Sequence, residues 1–139
     1  MSRIKPPSSP TGKIQNRTVI PDEFIRFSFK HLDLQHEKFC TDHCQEGYLD
    51  KLLERLRDVS NILVSDFRAN RSRALRSHSI SWTETTEQAG FTCLNEQLRG
   101  EEAWQFELTA NEHGRVHGLL IDSIFFVIWI DPAHLLYAR

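Results

Sequence analysis

RVHGLLIDSIFFVIWIDPAHLLY, residues 115–137, is the stretch whose reading decides the fold. At its centre, Ile124 to Ile130 is a run of seven consecutive β-branched or aromatic residues, the types that suit a pleated, buried surface. As a helix this run would make barely two turns, too few to hold alone, so it predicts a strand. Strict alternation puts Ile124, Phe126, Ile128 and Ile130 on one face and Phe125, Val127 and Trp129 on the other. Both faces are apolar, which predicts cover on both sides or one face offered to a partner. Asp122 and Ser123 supply a turn before the run, because their side chains bond local backbone. Arg115 to Ile121 is then the preceding antiparallel strand. Pro132, which has no N–H, stops the ladder after Asp131.

The polar residues of this stretch sit at its two ends: Arg115 and His117 at the start, Asp131, His134 and Tyr137 at the finish. A hairpin lays the start of its first strand beside the end of its second. Arg115, His117, His134 and Tyr137 are therefore the candidate catalytic residues, gathered with Asp131 at one edge. The simpler account makes Arg115 and Asp131 a surface ion pair and leaves the histidines solvated.

Working outward, Trp104–Thr109 alternates as another strand, and Asn111 to Gly114 turns the chain with glycine where a positive φ is expected. Phe24–His31 alternates too, with Ile25, Phe27 and Phe29 facing one way. Tyr48–Phe67 carries Leu49, Leu52, Leu53, Leu56, Val59, Leu63 and Phe67 at spacings of three and four, which predicts one long helix. Asp33 is placed to cap a short helix through Phe39, and Ser77–Ser81 reads as a short extended piece. The expected fold is α+β: a mostly antiparallel sheet of about four strands, with one long and one short helix on one face. Residues 1–20 hold Pro6, Pro7 and Pro10 and little to bury, so they read as a flexible basic tail before a single domain at 21–139.

At 139 residues with a net charge of −2, the chain is large enough for a real core and too balanced for a general nucleic-acid binder. Its charge is instead local. Arg68, Arg71, Arg73 and Arg76 form a basic cluster and candidate RNA contact, while Glu101 and Glu102 belong to an acidic flank that, with Trp129, suggests a protein-facing surface. No apolar run reaches the roughly 18 residues of a membrane span. An odd count of three cysteines argues against a disulfide framework, so a reducing cytoplasm is expected and no membrane partner. His36, Cys40, His43 and Cys44 have zinc chemistry, but structural zinc sites draw pairs from two separated elements. Only one such group exists and Cys93 stands apart, so no metal is expected. No P-loop, dinucleotide fingerprint, HExxH or nucleophile elbow occurs, and no cofactor is expected.

From Phe24 to Tyr137 the order of elements resembles the RelE/ParE superfamily of small bacterial toxins, whose YoeB-like members are messenger-RNA endonucleases. The resemblance is carried by the last three strands and by the C-terminal His134 and Tyr137. It implies that Arg115, His134 and Tyr137 act on a scissile phosphate, that no metal takes part, and that an antitoxin or other protein is a partner. The chemistry is coherent: RNA cleavage through its own 2′-OH needs a base, a phosphate clamp and an acid, and histidine titrates near neutral pH. The competing expectation is a non-catalytic RNA- or protein-binding subunit of a defence or toxin-neutralising complex, which near-neutral charge favours.

Overall fold

The computed structural model describes residues 22–70, 75–109 and 112–137. The expected tail at 1–20 lies outside them. The fold is α+β, built on a five-stranded, mostly antiparallel sheet. The strands are β1 (Arg26–Ser28), β2 (His78–Ser79), β3 (Ala103–Glu107), β4 (Arg115–Ile121) and β5 (Ile124–Asp131), in the order β1-β5-β4-β3-β2. Only β1 against β5 is parallel. Asp122, at φ 56, makes the tight β4–β5 turn, a backbone that Asp tolerates.

The alternation expected in β5 breaks in the middle. His117 pairs with Trp129 and Gly118 with Val127, so Ile128 is an extra residue, a β-bulge. Past the bulge the faces exchange. Phe125, Val127 and Ile130 join one core, and Ile128 and Trp129 join the other. This corrects the simple two-face pattern. The bulge has a partner in the loop after β1: the Ile128 carbonyl accepts the Asp33 N–H at 2.9 Å, and Asp33 Oδ2 accepts Trp129 Nε1–H at 3.1 Å. Asp33 therefore caps no helix, and none forms between Asp33 and Phe39. Its other oxygen accepts the Gln35 N–H at 3.0 Å.

The long helix expected over Tyr48–Phe67 is two: α1 (Tyr48–Val59) and α2 (Val64–Arg68). Ser60 Oγ and Asn61 Nδ2 both donate to the Arg57 carbonyl, at 2.6 and 3.0 Å, and so compete with continued helix. The freed segment is used elsewhere. The Ile62 carbonyl accepts the Ile25 N–H at 3.0 Å, and the Val64 N–H donates to the Glu23 carbonyl at 2.8 Å. The leucine stripe is correspondingly split. Leu52, Leu56 and Val59 pack on the sheet, whereas Leu49 and Leu53 are 63% and 56% exposed. Arg55 ties α1 to the end of β3, donating to the Leu108 carbonyl at 2.8 and 3.0 Å.

Each sheet face has its own core. α1 and α2 cover Trp104, Phe106, Val116, Leu120, Phe125 and Val127. The opposite face carries Ala103, Leu119, Ile128 and Trp129. It is covered by Phe39, by residues 80–98 including α3 (Glu96–Arg99), and by Leu136. The helices are thus not confined to one face. Residues 80–98 form a second cover, held by aromatic packing such as Phe91 on Trp129 at 4.8 Å between ring centroids. Among the described residues no helix is long and apolar enough to cross a membrane.

Candidate active site

The polar residues of β2–β5 collect at one end of the face opposite α1. Glu107 pairs with Arg115 across β3–β4, Gln105 with His117, and Arg115 with Asp131 across β4–β5. Glu107, Gln105, His117 and Asp131 are all buried. Arg115 Nη2–H donates to Glu107 Oε2 at 3.0 Å, and its Nη1–H donates to His134 Nδ1. Since guanidinium is only a donor, His134 accepts through a neutral Nδ1. Arg76, at φ 46, leans in from the chain before β2, its Nη1 at 3.8 Å from Glu107 Oε2.

His117 lies one step further in, at 0% exposure, with Nε2 at 3.1 Å from Asp131 Oδ2. Asp131 also accepts the Leu135 N–H at 2.7 Å and the Leu136 N–H at 3.0 Å. Burial holds the His117 imidazole below the usual histidine range, outweighing the pull of Asp131. Burial acts to raise the Asp131 carboxyl, yet the bonds from His117, Leu135 and Leu136 outweigh it and hold the group below the usual carboxylate range. The pair is therefore a carboxylate accepting Nε2–H from a neutral imidazole. Nδ1 of that ring then carries a lone pair with no hydrogen-bond partner among the described residues. The Glu107 Oε1 and Gln105 Oε1 acceptors and the Arg115 Nε donor are in the same condition.

A cleft of about 500 Å³, lined by Asn70, Arg76, His78, Glu107 and Arg115, opens over this polar floor. His78 is its histidine. The ring donates Nδ1–H to the Ser79 carbonyl at 2.8 Å, so Nε2 accepts from Gln105 Nε2–H at 2.9 Å.

Of the residues singled out in the sequence, Arg115 and His134 touch, and His117 sits beside them. Tyr137 stands edge-on to His78 at 6.0 Å between ring centroids, its hydroxyl accepting the Ser81 N–H at 3.1 Å. In the basic cluster, Arg76 lines the cleft. Arg68 instead pairs with Glu102 and lies 5.8 Å over the Trp104 ring. Arg71 and Arg73 lie outside the described residues. Glu101 and Glu102 are on the surface, but Trp129, expected to face a partner, is 1% exposed and enclosed by Phe39, Phe91 and Trp82. In the cysteine-rich loop, His36 faces Glu87 and His43 Nε2–H donates to the Glu37 carbonyl at 2.8 Å. Among the described residues no three His, Cys, Asp or Glu side chains gather as a metal set.

Sequence reading missed Glu107 and His78. The signal for Glu107 is its place on the alternate face of WQFELT, opposite Arg115 once that strand pairs with the next. For His78 no local signal exists, since a two-residue strand makes no pattern. Scans against protein-family models, curated proteins and solved structures find no match to this chain.

Proposed function

We propose that the chain is a small toxin-like ribonuclease, of the kind found in toxin–antitoxin or phage-defence systems, cleaving RNA by acid/base catalysis among its own side chains. The observation that carries this reading is the convergence of a buried carboxylate, two arginines and a histidine on one cleft: Glu107, Arg76, Arg115 and His78. In this reading Glu107 takes the proton of a ribose 2′-OH, and the 2′ oxygen attacks the adjacent phosphorus. The bond to the 5′ oxygen breaks, and that oxygen takes a proton from His78 Nε2, the ring acting from its doubly protonated form with the Gln105 amide turned so that Oε1 faces it. Arg115 and Arg76 neutralise the charge that builds on the phosphoryl oxygens. A 2′,3′-cyclic phosphate and a 5′-hydroxyl are left. His134 holds the Arg115 fork, Tyr137 packs against His78, and His117 stays behind the floor. The resemblance to RelE/ParE toxins read from the sequence implies the same class of reaction, but with Arg115, His134 and Tyr137 acting on the phosphate.

The test is cleavage of single-stranded and ribosome-bound RNA by purified protein, with the product ends identified. Glu107→Gln is expected to slow cleavage by about 10²–10⁴-fold, the contribution of a positioned acid or base, and Arg115→Ala by about 10²–10³-fold. Wild-type protein that leaves both RNAs intact overturns the reading.

A second reading, a non-catalytic subunit of a protein complex, is favoured by one observation: Leu49 and Leu53 lie one turn apart on the outer side of α1, both exposed. It predicts a stoichiometric partner that is lost on Leu49→Ser/Leu53→Ser, with RNA untouched after that partner is stripped away.

A further inference from the structure

We propose that Asp131 is the positioning residue of the cleft: its carboxylate hooks the chain that follows it and thereby sets the His134–Arg115 contact. Four observations support this. Asp131 Oδ1 accepts the Leu135 N–H at 2.7 Å, and Oδ2 accepts both the Leu136 N–H at 3.0 Å and His117 Nε2–H at 3.1 Å. Its own carbonyl accepts the His134 N–H at 3.3 Å, so one residue holds three N–H groups of the following five residues. His134 sits at φ 58, a left-handed conformation that non-glycine residues adopt where surrounding structure imposes it. Finally, Gly114 packs where an added Cβ would stand 1.9 Å from the Asp131 carbonyl oxygen, so the hook is seated hard against the entry to β4.

The consequence is specific to the carboxylate. Two oxygens accept three hydrogen bonds, and both are needed. Asparagine has the same shape but one acceptor, and its amide would turn N–H against N–H at Leu135 or at Leu136 and His117. Losing one side of the hook releases residues 132–136. The His134 Nδ1 acceptor then leaves Arg115, whose guanidinium faces Glu107. Asp131 reaches the reacting phosphate only through these two residues. It is one of the most buried polar groups among the described residues, at 1% exposure.

The kinetic arm of the test rests on the ribonuclease reading; the spectroscopic arm does not. In Asp131→Asn, the ¹⁵N shift of His134 Nδ1 is expected to move toward that of an imidazole nitrogen with no donor beside it. The kcat for RNA cleavage is expected to fall about 10²-fold, the scale of an ångström misplacement, with KM moving far less. In an Arg115→Ala background the same substitution should have almost no further effect on cleavage. If Asp131→Asn does not fold, His117→Leu/Asp131→Asn removes the buried pair together, a change that proteins often tolerate, and takes the same measurements. A folded variant with the wild-type His134 shift overturns the proposal, as does an effect on cleavage that multiplies with that of Arg115→Ala. A shifted His134 in a protein whose wild type cuts no RNA leaves the hook standing and removes the nuclease.

Discussion

At Gly118 an added Cβ would stand 2.0 Å from the Phe126 carbonyl oxygen, because the bulge in β5 draws that backbone across β4. The obstacle is backbone, which cannot swing aside. Gly118→Ala is therefore expected to destabilise by at least about 1–3 kcal/mol, read from urea unfolding; a change within error would contradict the close approach. The His117–Asp131 pair makes a pH prediction. His117 binds its proton less readily folded than unfolded, so the stability it contributes is present above its ordinary value of 6.5 and is lost as pH falls from there toward the folded value. Asp131 adds a second contribution, present above 3.8 and lost on further acidification. The midpoint of thermal unfolding should fall between pH 7.5 and pH 5.5, and less steeply in His117→Gln. Equal slopes for the two proteins would contradict the assignment. At this scale the sequence was half legible. Arg115 and His134 could be paired because a hairpin must bring its ends together. The burial of His117 could not, because it depends on Phe39 and Leu136 arriving from outside the hairpin.

Among the elements, the sheet was the readable part and its departures from regularity were not. Four strands were visible as alternating or apolar runs, yet the bulge at Ile128 leaves no mark in a run where every residue is apolar. It is set by Asp33, 95 residues earlier in the chain. Asp33→Ala leaves Trp129 Nε1 without its acceptor and should cost about 1–3 kcal/mol. A neutral result would mean that the loop does not hold the bulge. The helix was over-read for a related reason. Periodicity counts leucines and cannot see that Ser60 and Asn61 cap Arg57. The same split separates the consequences of substitution. Phe67→Ala, at the junction of Trp104, Phe106 and Phe125, should cost about 3–5 kcal/mol. Leu49→Ser, on the exposed side of α1, should stay within about 0.5 kcal/mol. Equal losses by denaturant titration would show that the outer leucines belong to the core.

Over the whole molecule, the α+β class was legible because the apolar runs outnumber what one helix layer can cover. The two-core arrangement was not, because residues 80–98 carry no periodic pattern and are held by isolated aromatics. The strand order has a further effect. β1, the first strand, finds its place beside β5, the last, and β5 also carries the Asp131 hook. A chain ending at Ile121 should show no protected amides in hydrogen exchange; stable protection would mean that the remaining strands form a sheet without β5. During synthesis the same geometry becomes a delay. At about 5–20 residues per second, Ile124 follows Arg26 by about 5–20 s, and until then β1 waits on the ribosome with nothing to pair. Arg115 and Glu107 emerge earlier but have no hook to align them. On the proposed reading, the cleft of the nuclease cannot be aligned until the ribosome has read through Leu136.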